Sequence, residues 1–84
     1  MIDAKVTVII EGNTSYVNKI RKILKGRGAI TDIKEIDIKG KYYIKEISIR
    51  TDSRLQFIRF LDKLRDIKDM YVLSVKDAIE MEKS

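Results

Sequence analysis

Two rhythms of apolar residues alternate along the chain, one of period two and one near 3.6. Val6, Val8 and Ile10 alternate with Lys5, Thr7 and Ile9, which predicts a strand from Ala4 to Glu11. Gly12-Asn13-Thr14-Ser15 interrupts it and offers capping side chains. Tyr16, Val17, Ile20, Ile23 and Leu24 then recur at helical spacing, and Lys25-Gly26-Arg27-Gly28 ends that helix with a glycine cap. Ile30 to Lys39 reads as a second strand, in which Ile36 and Ile38 alternate with Glu35, Asp37 and Lys39. Ile30 and Ile33 are out of phase with each other, which predicts a bulge near Asp32. Lys39-Gly40-Lys41 turns the chain into a hairpin partner from Tyr42 to Arg50, with Ile47 and Ile49 inward and Glu46, Ser48 and Arg50 outward. Thr51-Asp52-Ser53 caps a second helix whose stripe is Leu55, Phe57, Ile58, Leu61 and Leu64, widened by Phe60 and Ile67. Lys68-Asp69 leads into a last strand from Met70 to Lys76, with Tyr71, Leu73 and Val75 on one face. The charged tail from 78 to 84 is expected to fray.

The order is therefore βαββαβ, and residues 1–84 read as a single domain. Two βαβ halves joined by a hairpin imply an α+β, ferredoxin-like two-layer sandwich: an antiparallel four-stranded sheet, first and third strands central, helices on one face. The second face of such a sheet is left to solvent, a ligand or a second copy.

Composition narrows the chemistry. Histidine and cysteine are both absent, which removes the usual general base, thiolate metal sites, disulfides and every Ser-His or Cys-His nucleophile. Carboxylates remain, but no loop has an EF-hand-like run. No catalytic residue, metal or cofactor is assigned. Nothing in the chain approaches the roughly 18 apolar residues of a membrane span, and no basic segment precedes a long apolar run as in a signal peptide. A soluble cytoplasmic protein with no membrane partner is the expectation. The 37% charged content and the single glutamine resemble a thermophile's surface, against which stands the absence of proline.

Three features invite a functional reading. Lys19, Arg21, Lys22, Lys25 and Arg27 have no acid among them, which suits an anionic surface. The same charges suit a solvated helix face and a helix C-terminus, and with a net charge of +5 the expectation is weak, salt-sensitive binding to nucleic acid at most. In the hairpin, Tyr43 fits a base-stacking position, while Thr7 and Glu46 stand where further aromatics would be needed. At Gly12 to Ser15 the free amides of a helix start can bind a carboxylate or phosphate, or be capped by Asn13 or Thr14. Asp62 and Asp66, flanked by Lys63 and Arg65, read as surface charge.

Several short stretches resemble the ACT domain, a small-molecule-sensing regulatory module, and in particular the ACT domain at the N-terminus of some NAD-dependent malic enzymes. Tyr43-Ile44-Lys45-Glu46-Ile47-Ser48-Ile49 is similar to that family's aromatic-x-Val-Arg-Asp-Ile-Thr-Val strand. Val72-Leu73-Ser74-Val75-Lys76-Asp77 is similar to its Val-Leu-x-Val-Ser-Asp ending, and Val17-Asn18-Lys19-Ile20 to its Leu-Gly-Lys-Val helix start. The resemblance spans the chain and implies a non-enzymatic regulatory part of a metabolic enzyme, binding an amino acid or small carboxylate. It places the effector at Gly12, Asn13, Thr14, Ser15, Tyr16 and Ala29. Thr14-Ser15 stands in place of the family's Pro-Gly, and Ala29 in place of its frequent asparagine. A Cβ at residue 15 narrows the approach to the backbone, while its hydroxyl adds a polar contact.

The alternation also places Ile9, Tyr42, Ile44 and Val72 away from the helices. Four apolar side chains on one bare face predict a homodimer interface. Burying roughly 100 Å² of each contributes at most about 2.5 kcal/mol per side chain. The rival classes are a basic ferredoxin-like nucleic-acid-binding module and a purely structural dimerisation domain.

Overall fold

β-branched residues at every second position build four strands, and the 3.6-residue stripes build two helices between them. The computed structural model describes residues 1–12 and 15–80, the last four of these by backbone alone. The elements are β1 (Ile2–Glu11), α1 (Tyr16–Leu24), β2 (Gly28–Lys39), β3 (Tyr42–Thr51), α2 (Arg54–Arg65) and β4 (Met70–Glu80). In the single sheet, β1 pairs with β3 and β4, β3 pairs with β2, and all three pairings are antiparallel. This α+β arrangement is consistent with a ferredoxin-like fold.

One sheet face carries the core. Ile2, Ala4, Val6, Val8 and Ile10 of β1 pack with Ile47 and Ile49 of β3, under Ile20 and Leu24 of α1 and Phe57, Phe60 and Leu64 of α2. Full burial of such a side chain stabilises the fold by about 1.5–3 kcal/mol. Phe57 and Phe60 stack with ring centroids 6.3 Å apart. The stripe of α2 is thus centred on Phe57, Phe60 and Leu64, and Leu55 and Ile58 lie on the outer side, exposed. Ser53 caps α2, its Oγ accepting from the Gln56 amide at 3.3 Å.

Register explains where the alternation misleads. The expected bulge in β2 is present: the pairing with β3 shifts between Ile30 and Asp32, which returns both Ile30 and Ile33 to the core side opposite Ile49 and Ile47. A second shift, between Glu35 and Asp37, makes Ile36 an extra residue, and Ile36 and Ile38 are both about half exposed rather than core. In β4 the partners of Thr7 and Val8 are Ser74 and Val72, so Leu73 is extra and the phase of the strand reverses there. Met70, Val72 and Val75 consequently face the helices, while Tyr71 and Leu73 are exposed. Val72 therefore does not belong to the bare face, and Tyr71, opposite Ile9, takes its place. β1 begins at Ile2 rather than Ala4, and β4 continues to Glu80 by pairing with Ile2 and Asp3, beyond the Lys76 end that the alternation gives.

Candidate functional site

The bare sheet face divides into two halves. At the end nearest the β2–β3 hairpin, Ile44, Ile9 and Tyr71 lie side by side across β3, β1 and β4, with Tyr42 farther along β3. Ile9 and Ile44 are half-buried by their neighbours; Tyr42 and Tyr71 are exposed. At the opposite end the face is charged. There Arg50 forms a two-pronged contact with Asp3, Nε to Oδ1 at 2.7 Å and Nη2 to Oδ2 at 2.9 Å. That bond holds the Asp3 carboxyl below its ordinary range, with the Arg50 charge adding to it and slight desolvation opposing.

Tyr43 lies on the other face. It pairs with Ile10, a core residue, and so belongs to the helix-covered side, where it is unavailable as a stacking platform on the bare face. Lys45 accompanies it there, opposite Val8. The Lys45 ammonium bonds Glu35 at 2.8 Å and sits 5.8 Å from the Tyr43 ring centre. The Glu35 bond raises its pKa; partial burial opposes this, and the nearby Tyr16, Glu35 and Tyr43 side chains add to the rise.

Tyr16 is the first residue of α1, and its side chain is among the groups near the Lys45 ammonium. Ser15 occupies the N-cap position, but its side chain makes no capping hydrogen bond. The first amides of α1 are therefore not satisfied by that hydroxyl, in contrast to the Ser53 cap of α2. Gly12 has a left-handed φ of 71°, which a residue with a Cβ adopts only under strain, and its amide donates to the Lys41 carbonyl at 2.9 Å. Lys41 in turn pairs with Glu11 at 2.7 Å. Asn13 and Thr14 lie outside the described residues.

Gly12, Ser15 and Tyr16 are thus gathered at one end of the sheet, beside the hairpin turn. Ala29 is not. It pairs with Arg50, which pairs with Asp3, whereas the Gly12 end of the sheet is the Glu11–Tyr42 row. Those rows are roughly 27 Å apart at about 3.4 Å per residue. Within the chain Ala29 therefore does not share a site with Ser15. Lys45 is a residue near this helix start that the sequence reading did not single out. Its signal was present: a cation in phase with Ile47 and Ile49 on the core side of a strand.

Among the described residues no group of three or more Asp, Glu, His or Cys side chains is arranged to hold a metal ion, and no helix is long and apolar enough to cross a membrane. Comparison with known proteins finds no matching family model, no matching curated protein and no matching solved structure.

Proposed function

We propose that the chain is an ACT-like regulatory domain. It pairs with a second copy through the bare sheet face and senses a small amino acid or carboxylate at the start of α1. The observation that carries this reading is an α1 N-terminus that the Ser15 hydroxyl does not cap, with the Tyr16 side chain near Lys45, at the hairpin end of a one-sided sheet. A carboxylate at that point accepts from helix amides and faces a fixed cation, the two interactions that stabilise an anion outside water. The sequence resemblance supplies the class of effector. Gly12, Ser15, Tyr16 and Lys45 hold the ligand; Glu35, which already bonds Lys45, competes with it.

An effector acts here only through unequal affinity for two arrangements of the subunits, passed on to a metabolic enzyme. The reading assigns no reaction to the domain itself. Thermal-shift screening of amino and dicarboxylic acids at millimolar concentration tests it. One of them raises the unfolding midpoint, by about 2.7 kcal/mol of stability at a hundredfold excess over Kd. Ser15→Trp and Lys45→Met each abolish that shift. If no acid shifts the midpoint, or if both variants leave the shift intact, the site is wrong and a structural dimerisation role is the better reading.

A further inference from the structure

The helix layer contains a second place where charge collects. A shallow cleft runs between α1 and α2, with Ile23, Leu24 and Phe60 among its apolar lining residues. Its polar lining comprises Arg27, Thr51, Gln56, Arg59 and Lys63. Gln56, Phe60 and Lys63 are spaced four and three apart, so one side of α2 carries them, and Arg59 flanks that side. Arg27 arrives from the turn after α1. Its backbone is pinned on both sides, the amide donating to the Leu24 carbonyl at 2.7 Å and the carbonyl accepting from the Asp52 amide at 3.0 Å.

Among the described residues no acid lines this cleft. Among the described residues, none of Arg27, Arg59 and Lys63 takes part in an ion pair. The neighbouring acid on α2, Asp62, lies 4.0 Å from Arg65 instead. Three exposed cations therefore flank one largely apolar floor, and none of them is paired with an acid among the described residues. Like charges gathered in this way repel, and an anion between them relieves the repulsion.

We propose that the cleft is a phosphate-binding site, with Arg27, Arg59 and Lys63 as the charged ligands and the Gln56 amide as a further donor. Charge favours phosphate over carboxylate: a phosphate monoester dianion offsets two of the three cations, a carboxylate only one. Geometry favours it too. Two guanidinium forks and an ammonium offer donors from several directions, which suits a tetrahedral group of oxygens better than a planar pair. The site is independent of the α1 N-terminus, which lies at the other end of that helix.

The test is an NMR titration of the isotope-labelled chain with inorganic phosphate, at mildly alkaline pH and constant ionic strength. Amide signals of residues 27, 56, 59 and 63 move together and saturate at millimolar phosphate. Arg59→Gln and Lys63→Gln each weaken binding about fivefold or more. Arg21→Gln, which removes the same charge from α1 outside the cleft, leaves it within about twofold. Glutamine keeps helix propensity at these exposed positions, and circular dichroism of each variant checks that it folds. A titration with a short single-stranded DNA homopolymer separates the sources of the phosphate. Weakening by Arg59→Gln but not Arg21→Gln points to a polynucleotide backbone. Equal weakening by both, with the phosphate result unchanged, points to a small phosphorylated compound. The proposal is overturned if phosphate gives no saturable shift, or if Arg21→Gln costs phosphate binding as much as Arg59→Gln does.

Discussion

A Cβ added at Gly28 would collide with the Arg50 carbonyl oxygen, and would lie 3.1 Å from the Thr51 Cα and 3.2 Å from the Leu24 Cδ2. Two of these three neighbours are backbone, which cannot swing aside as a side-chain tip can. Glycine at this position lets β2 begin flush against the end of β3 while the last residue of α1 packs above. Gly28→Ala should therefore destabilise the fold by about 2 kcal/mol or more, as an overpacked site does. Urea denaturation reads this as a lower midpoint at unchanged slope; a midpoint equal to that of the unmodified chain would show that the strands separate at no cost. This requirement is not visible in the sequence. There Gly28 looks like part of a helix-ending run, because the backbone that constrains it lies more than twenty positions away. The inward position of Lys45, by contrast, can be derived from the alternation, although the sequence reading did not single it out. A charged residue in phase with Ile47 and Ile49 must either break the core or use its charge, and it uses it on Glu35.

At the scale of elements, β1 and β3 are joined by their core side chains on one face and by the Asp3–Arg50 pair on the other. The folded chain holds the Asp3 pKa below its value in the unfolded chain, chiefly through the Arg50 hydrogen bond. The unfolded state thus binds the proton more readily. The stability from this pair is complete above about pH 4 and is lost as pH falls through the lower, folded value. Asp3→Asn should remove that acid-dependent loss. Urea midpoints measured across the acid range should converge for the two proteins as pH falls, the variant being the weaker near neutrality. Midpoints that run parallel at every pH would show that the pair contributes no linkage. The elements also show what limits a reading by alternation. The bulge at Thr31 could be inferred because Ile30 and Ile33 fall on opposite phases. The one at Leu73 could not, because Tyr71, Val72, Leu73 and Val75 are apolar on both phases and either face is consistent with the run. Only the pairing with β1, Thr7 to Ser74 and then Val8 to Val72, fixes which phase is buried.

For the whole molecule, the decisive asymmetry is that both helices cover one face of the sheet. Element order made this legible, since two βαβ halves with the same crossover sense place both helices together. The make-up of the bare face was legible only in part, because Tyr71 replaces Val72 there. A face of four strands about 4.8 Å apart and ten residues of about 3.3 Å offers roughly 600 Å². That is somewhat below the about 800 Å² per partner of a standard interface, and only its hairpin half is apolar. Pairing through it should therefore be weaker than through a standard interface of the same packing quality. The row Ile44, Ile9, Tyr71 would lie at the centre, with the Asp3–Arg50 end at the rim. Ile9 sits in the middle of that row, so in a two-fold arrangement it meets its own copy or a close neighbour of it. Ile9→Lys would set two ammonium groups against each other in a desolvated patch, and should yield a folded monomer. Val72→Lys separates the two assignments of the face: directed at the core beside Val8, it should unfold the chain instead of dissociating it. Sedimentation velocity at tens of micromolar, with circular dichroism on the same samples, distinguishes these outcomes. A dimer that survives Ile9→Lys would move the interface to another surface, and a monomeric unmodified chain would remove it.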